Sequence, residues 1–391
     1  MSEGASLYLL LWLLYLSECF IWIRKQGVAF VSPWSTGWRA DVGSSFLANS
    51  RGGALLLNPL FPSNRVLVCC LSPVSISPDG ICAFNAQSFY GGVGSGQTTL
   101  YFAFDDIKTC SREDRRILVN NVIFVDCSDL TESQRLEKLI NQALLAPATQ
   151  RQHIVQQFIA QRFAKTAAFD ILENVWNRLR SLEVLCVMFF LLLFMIAPVM
   201  ALRFGVELVL IPMGILMLVF AVGIASLFYH QHKLICPWSS SDRLSATVKM
   251  ILCPPAAIRA VGNLTANIVS SYDPIVIASL LSPLDLKRFI STYLRDLYYP
   301  LKDGLDGPAK DIVQWYRAEI LKQVTDYLTK EKDLRPELIL ASPVLENDCH
   351  TYCPRCYNQF TRSEGECAEC DGVRLVESSS EKVWESRSRN E

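Results

Sequence analysis

The sequence has few charged residues and few histidines. Lys, Arg, Asp and Glu make up 19% of the 391 residues, below the ~25% of an average protein, and only 4 residues are histidine. The charges almost cancel, so the net charge of −1 at pH 7 creates no general attraction for nucleic acid. These shortages argue against a nucleic-acid-binding protein and against an ordinary soluble enzyme.

Apolar residues, by contrast, are abundant, at 51% of the chain with a positive mean hydropathy of +0.23. A chain of this composition is not disordered. Three apolar runs, at residues 7–23, 184–202 and 206–229, are each long enough to cross a hydrocarbon layer of ~30 Å as a helix. The predicted fold class is therefore a multi-pass α-helical membrane protein with about three spans and mixed α/β cytoplasmic regions.

The first apolar run has the flanks of an anchor and not those of a cleaved signal peptide. Lys and Arg do not precede it, and it lacks the small-residue cleavage site that follows a signal peptide. Basic residues accumulate at the ends of the spans on one side, which the positive-inside rule identifies as cytoplasmic. They are Arg24, Lys25, Arg178, Arg180, Lys233 and Arg243. We expect an inner-membrane protein with most of its chain on the cytoplasmic side.

The parts outside the membrane divide into regions of different pattern. Short apolar runs between Gly, Ser and Pro clusters predict a β-rich domain over residues 26–127. Apolar residues at helical spacing predict a helical segment over 131–182 and a mostly helical domain over 241–335. Within the first segment, one helix is expected to end at Pro147, and a second stripe over 149–182 is expected to continue into the span at 184–202. Residues 376–391 have the composition of a disordered tail. Whether the two cytoplasmic regions form one domain stays open at this point.

Two C-x-x-C pairs near the carboxyl end form the strongest motif. Cys353-Pro-Arg-Cys356 is followed, after ten residues, by Cys367-Ala-Glu-Cys370. Each pair presents two sulfurs from one tight turn, and a hairpin between them brings the pairs together. Four thiolates in a tetrahedron suit Zn²⁺. The predicted ligands of one structural Zn²⁺ ion are Cys353, Cys356, Cys367 and Cys370.

Residues 349–375 resemble a zinc ribbon. The resemblance rests on the two cysteine pairs, on Phe360 in the hairpin and on Asp371-Gly372 after the second pair. Tyr357 departs from it, because ribbons often place a small residue there. Disulfides, a redox pair and an Fe–S cluster are the alternatives. A reducing cytoplasm disfavours disulfides, and a redox pair would open a helix and would not need a second copy.

Four cysteine ligands leave no open coordination position, so the ribbon predicts a structural role and no activation of water. Its charges are slightly acidic, which argues against a phosphate-binding face. The charged residues are Arg355, Arg362 and Arg374 against Glu364, Glu366, Glu369 and Asp371.

Other motifs are weak. Residues 91–98 nearly match a P-loop, but Gln97 replaces the phosphate-binding lysine and a strand pattern follows where a helix is needed, so a hairpin turn is expected. His230 and His232 are expected to anchor the end of a span. The sequence thus predicts a membrane-anchored zinc-ribbon adaptor or accessory subunit, with the lipid bilayer and either a protein partner or a second copy as its contacts.

The alternative function is a membrane-associated enzyme acting at the cytoplasmic face, with its site in residues 26–180. Asp105, Asp106 and Asp126, at predicted strand ends, are its candidate carboxylates. No small-molecule substrate or cofactor other than the metal is indicated by any motif.

Overall fold

The computed structural model describes most of the chain beyond residue 64. The described ranges are 20–23, 27–32, 39–41, 54–57, 65–70, 74–85, 98–127, 130–235, 240–252, 256–300, 305–346 and 348–377, with single positions at 6, 9, 10, 13 and 17. The P-loop-like segment lies almost entirely outside these ranges, and only its last residue, Thr98, is described, at the start of a strand. Most of residues 7–19 and residues 378–391 also lie outside the described residues.

The amino-terminal part is built from short strands, as its sequence predicts. They are β1 (Phe20–Ile23), β2 (Gly27–Ser32), β3 (Arg39–Asp41), β4 (Ala54–Leu57), β5 (Arg65–Cys70), β6 (Val74–Ile76), β7 (Gly80–Asn85), β8 (Thr98–Ala103), β9 (Cys110–Glu113), β10 (Arg116–Val119) and β11 (Val122–Asp126). All of the pairings are antiparallel. They give a two-stranded β1-β4 ribbon and three small sheets ordered β3-β2-β5, β6-β7-β8 and β9-β10-β11.

Helices follow the strands. They are α1 (Leu130–Leu145), α2 (Ala148–Gln161), α3 (Lys165–Leu191), α4 (Ala197–Phe204), α5 (Val206–Ile235), α6 (Ser240–Leu252), α7 (Ala256–Val269), α8 (Pro274–Ile277), α9 (Pro283–Tyr298), α10 (Pro308–Lys332) and α11 (Pro336–Ile339). Three two-residue strands complete the chain: β12 (Thr351–Tyr352), β13 (Gln359–Phe360) and β14 (Val376–Glu377).

The β-rich and helical regions share one hydrophobic core, so they pack together as one unit. One continuous cluster of buried side chains draws on strands β2, β5, β6, β7, β10 and β11 and on helices α1–α3 and α7–α10. Phe30 of β2 contacts Phe289 of α9, with ring centroids 5.6 Å apart. Most of the apolar run at 275–281 is buried in this core, and Leu280 is partly buried against it. We call this unit the α/β body.

A buried polar cluster fixes the helices of the body at their junction. Asp273 caps α8 by accepting a hydrogen bond from the Ile275 N–H at 3.0 Å, and the single Tyr293 hydroxyl donates to its carboxylate, lying 2.9 Å from Oδ1 and 2.8 Å from Oδ2. Its own N–H donates to the Arg162 carbonyl at 2.9 Å. Burial raises the pKa of Asp273, while Arg162 and these hydrogen bonds act in the opposite direction.

Two helical stretches are long and apolar enough to cross a membrane: Lys165–Phe204 and α5. The first begins in the body, where Ala168 and Leu172 are core residues, and continues without a break into the apolar run, as its sequence predicts. A π-helical turn at Leu192–Ile196 precedes Pro198. The wider turn accommodates the missing proline N–H inside a long helix.

The structure corrects three sequence predictions. The first predicted span does not reach its carboxyl end as a helix, because Phe20–Ile23 is a strand paired with Ala54–Leu57. The helical stripe predicted over 149–182 is not one helix, because residues 162–164 separate α2 from α3, whereas the predicted break at Pro147 is confirmed. The predicted tail starts too early, since Val376–Glu377 is a strand of the ribbon.

Candidate metal centre

The carboxyl-terminal ribbon is a three-stranded sheet that holds the two cysteine pairs face to face. Strand β12 lies between β13 and β14. The His350 N–H donates to the Phe360 carbonyl at 2.9 Å, and the Thr351 hydroxyl donates to the Arg362 carbonyl at 2.7 Å. These contacts close the hairpin that starts with the first cysteine pair.

Backbone hydrogen bonds shape the first cysteine turn. The Tyr357 N–H donates to the Cys353 carbonyl at 2.8 Å, and the Cys353 N–H donates to the Asn358 carbonyl at 2.9 Å. Closing the turn in this way places Tyr357 in the left-handed region, with φ of 63°. A tyrosine pays a steric cost there that glycine would not, which explains why ribbons often have a small residue at this point.

The second turn closes in a similar way but uses a glycine. The Cys367 N–H donates to the Val373 carbonyl at 2.8 Å, and the Val373 N–H donates to the Cys370 carbonyl at 3.1 Å. The left-handed residue is Gly372, with φ of 74°. The Asp371-Gly372 pair therefore supplies the conformation that this turn requires.

The four predicted ligands come together. Their sulfur atoms all lie within 4.8 Å of one another, and Cys356 Sγ is 3.6 Å from Cys367 Sγ. This separation is too long for a disulfide of ~2.05 Å. It matches the separation of about 3.8 Å between sulfurs bound to one tetrahedral ion at ~2.3 Å. The cluster could hold a metal ion, as the sequence predicts.

The surroundings of the cysteine thiols raise the pKa of two of them and lower that of a third. Burial raises the pKa of Cys356 to about 12 and also raises that of Cys370, where the neighbouring cysteines add to the effect. Burial has the same effect on Cys367, but the N–H donors of Glu369 and Cys370 and the hydrogen bonds from the Cys356 and Cys353 thiols together lower its pKa. A bound cation would displace the remaining thiol protons.

Cys349 and His350, just before the first turn, are not part of the cluster. Among the described residues, the four inner cysteines form the one group whose ligand atoms meet closely enough for a metal ion. With four sulfurs in place the coordination shell is complete without either neighbour. Cys349 is therefore a natural control for experiments on the four ligands.

The first cysteine turn is joined to the α/β body by a buried ion pair. Arg355, between Cys353 and Cys356, lies 2.7 Å from the Asp296 carboxylate of α9, and both side chains are less than a tenth exposed. Arg355 also donates to the Tyr299 carbonyl at 2.6 Å. Burial raises the pKa of Asp296 to about 6, although Arg355 and Arg295 pull it down.

Tyr357 makes a second connection to the same helix. The Arg295 guanidinium lies over its ring, 4.2 Å from the centroid, and the Tyr352 ring packs against it edge-on at 5.9 Å. Its hydroxyl donates to the Ala341 carbonyl at 3.3 Å. Sequence analysis missed this junction, because nothing in the C-P-R-C motif indicates which distant residue its arginine will meet.

The candidate carboxylates of the alternative enzyme are not brought together into a pocket. Asp105 and Asp106 follow β8, whereas Asp126 ends β11 in a different sheet. All three are exposed. Asp105 pairs with Arg151 at 3.0 Å and Asp126 with Arg116 at 3.7 Å. These are solvent-exposed contacts without the burial that tunes a catalytic carboxylate.

A groove of about 700 Å³ lies between α1 and α2, within residues 26–180. It is lined by Arg135, Lys138, Leu139, Gln142, Leu145, Ala146, Pro147, Gln150, Ile154, Gln157, Phe158 and Gln161. None of these lining residues is a carboxylate, a histidine or a cysteine. The groove therefore offers cationic, amide and apolar side chains for binding.

The two histidines at the end of α5 differ in environment. His230 is exposed, whereas His232 is buried and lies 5.4 Å from the Phe228 ring, centroid to centroid. Among the described residues, the group that could hold a metal ion includes neither of these histidines.

The chain matches no known protein family, and no curated protein or solved structure is similar to it.

Proposed function

We propose that this protein is a non-enzymatic, membrane-anchored adaptor or accessory subunit, and that a zinc ribbon is part of the surface on which it binds a protein partner. The observation that carries the proposal is the buried Arg355–Asp296 pair, which joins the ribbon to the α/β body. A ribbon held at two points of one helix presents its outer surface in a fixed orientation, as a docking surface requires.

Zinc is the proposed ion because the donor set is four thiolates at tetrahedral spacing. The ion has a structural role, since four sulfurs leave no position for water or substrate. The small ribbon depends on it for folding, and the ion thereby maintains the outer surface.

The outer surface of the ribbon is charged and slightly acidic. Glu364, Glu366, Glu369 and Asp371 are exposed there, with Arg362 and Arg374 among them. Exposed charges of this kind steer association and select partners more than they add affinity. We propose that a protein partner with a complementary, basic surface binds at this place.

Two helical stretches, Lys165–Phe204 and α5, are the proposed transmembrane anchor. Their exposed apolar side chains, such as Leu202 (88% exposed) and Leu208 (77%), would be unfavourable in water and are accommodated by lipid. The basic residues at the body end of both helices support a cytoplasmic location at the inner membrane for the body and the ribbon in this proposal.

Co-purification in mild detergent from native membranes tests the proposal. Wild type is compared with Glu364→Lys/Glu369→Lys, which leaves the ligands intact, with Cys353→Ser, which removes one, and with Cys349→Ser as the matched control. We expect the wild type and Cys349→Ser to retain zinc and the same partner. The double lysine variant should retain zinc and lose the partner, and Cys353→Ser should lose both.

Two results would contradict the proposal. If the partner remains bound to the lysine variant and to Cys353→Ser, the ribbon only stabilises the chain locally. If none of the four samples contains a partner, the alternative enzyme reading gains weight, and activity of Asp105→Ala, Asp106→Ala and Asp126→Ala variants becomes the next measurement.

A further inference from the structure

Helix α6 carries an apolar stripe that is open to the surroundings. Leu244, Val248, Ile251 and Leu252 are 60%, 49%, 43% and 81% exposed. With about 100° of rotation per residue, they fall within an arc of about 100° on the helix. Four large apolar side chains in a helix of 13 residues are unusual on a surface in contact with water.

The opposite side of α6 packs against α5, and the two helices run antiparallel. Only residues 236–239 separate them. The Arg243 guanidinium lies over the Tyr229 ring, 5.1 Å from its centroid. Met250, further along α6, shares a buried cluster with Ile224 and Phe228 of α5. From Arg243 onwards, α6 therefore runs back along α5 towards the middle of the candidate span.

The length of the candidate spans gives the depth of α6. The two spans meet at the turn of Gly205. About 20 helical residues cross the hydrocarbon layer. Counting forward along α5 from Gly205, the layer ends a few residues before Tyr229, which therefore lies among the lipid headgroups. Tyr and Arg are typical of that level. Leu252 is nine residues beyond Arg243, about 13 Å deeper at 1.5 Å per residue.

We propose that α6 is inserted in the membrane leaflet next to the α/β body, with its apolar stripe in contact with lipid acyl chains. This inference rests on the proposed membrane anchor. Lipid is the occupant because α6 packs along α5, and both α5 and its neighbour α3 also expose apolar side chains, such as Val222 and Val184. At the edge of the stripe lies the exposed Lys249, whose long aliphatic stem lets its charge reach the headgroups.

Helix α7 brings the chain back to the body. Ala257 and Val261 lie in the same buried cluster as Met250, whereas Val269 at its end belongs to the core of the body. Helices α6 and α7 thus form a hairpin that enters the membrane and leaves on the same side. The sequence concealed this arrangement, because neither helix is long or apolar enough to predict a membrane segment.

Lipid quenching of a fluorescent amino acid tests the inference. The full chain, with the fluorescent residue at Val248, is reconstituted in phosphatidylcholine vesicles whose acyl chains carry bromine. Ile215 in α5 is the positive control for the span. Leu145, which is 89% exposed on the body, is the matched control for an exposed apolar side chain away from the membrane. We expect strong quenching and a blue-shifted emission at 248 and 215, and neither at 145.

Every other outcome refutes one part of the inference. Quenching at 215 without quenching at 248 refutes the insertion of α6 and leaves the anchor intact; protein would then cover the stripe. Absence of quenching at 215 refutes the anchor, and the insertion with it. Equal quenching at 145 and 248 shows adsorption of the whole protein to lipid and refutes a specific insertion.

Discussion

The α/β body and the ribbon are stabilised in different ways within one chain. The body buries a continuous cluster of large apolar side chains contributed by six strands and seven helices. The buried core of the ribbon consists of Cys353, Cys367, Cys370 and Val373, with only a few partly buried side chains around it. The body folds by hydrophobic burial, whereas the ribbon has too little apolar surface to do so.

This difference implies that the two regions respond separately to perturbation. Changes at the sulfur cluster should affect the ribbon and leave the body folded. Changes in the apolar core should do the opposite. The Arg355–Asp296 pair at α9 connects the two regions, so coupling between their responses is expected at this junction.

The largest expected effect comes from removing a ligand of the proposed zinc site. A structural zinc site contributes apparent binding energies of ~10–16 kcal/mol to small domains, so Cys353→Ser or a chelator should unfold the ribbon entirely. We expect proteolytic cleavage to begin within residues 349–377 while the body stays intact. Metal content by mass spectrometry and mapping of the cleavage sites measure the two effects.

Cys349→Ser is the control for this experiment, because Cys349 lies outside the cluster. It should keep its metal and its resistance to proteolysis. Unfolding of the body together with the ribbon would refute the separation of the two regions.

The next largest effect is expected for a cavity in the body. Phe30 is fully buried against Phe289, and truncation of such a side chain costs ~3–5 kcal/mol. Phe30→Ala should lower the free energy of unfolding of the body by this amount in urea titrations, without changing the metal content of the folded protein. Loss of metal in proportion to stability would show that the regions fold as a single unit.

Sequence patterns predicted the parts of this architecture that depend on local chemistry. The strands of the β-rich part, the two long apolar helices and the meeting of the four cysteines all follow from periodicity or spacing. The strand at Phe20–Ile23 was not predicted, because an apolar run has no alternation that distinguishes a strand from a helix. The Arg355–Asp296 contact joins residues 59 positions apart, and short-range patterns do not encode such pairs.

A smaller effect is expected from the pH dependence of the junction. The pKa of Asp296 is about 6 in the folded protein, above its ordinary value of 3.8, mainly because the carboxylate is buried. The folded state therefore binds this proton more tightly than the unfolded state. The associated stability is complete below the ordinary value and is lost as the pH rises through about 6.

Comparison with Asp296→Asn isolates this contribution. Between pH 5 and pH 7 the wild type should lose about 1 kcal/mol of stability relative to the variant, measured by urea titration at both values. Both proteins carry the same four cysteines, so proton competition at the metal site cancels in the difference. Equal pH dependence of the two proteins would mean that Asp296 stays accessible to water and that the ribbon is not packed against α9.

The smallest expected effect is at Tyr357, where two opposing contributions meet. Its left-handed φ of 63° is about 1 kcal/mol less favourable for tyrosine than for glycine. Its ring, however, contacts the Arg295 guanidinium, which lies 4.2 Å from the ring centroid. Tyr357→Gly should therefore change the free energy of unfolding of the metal-loaded protein by less than about 1 kcal/mol. In an Arg295→Ala background the ring has lost this partner, so the same substitution should become more favourable. A thermal unfolding cycle over the four proteins measures the shift, and an identical effect of Tyr357→Gly in both backgrounds would refute the role of this ring in joining the ribbon to the body.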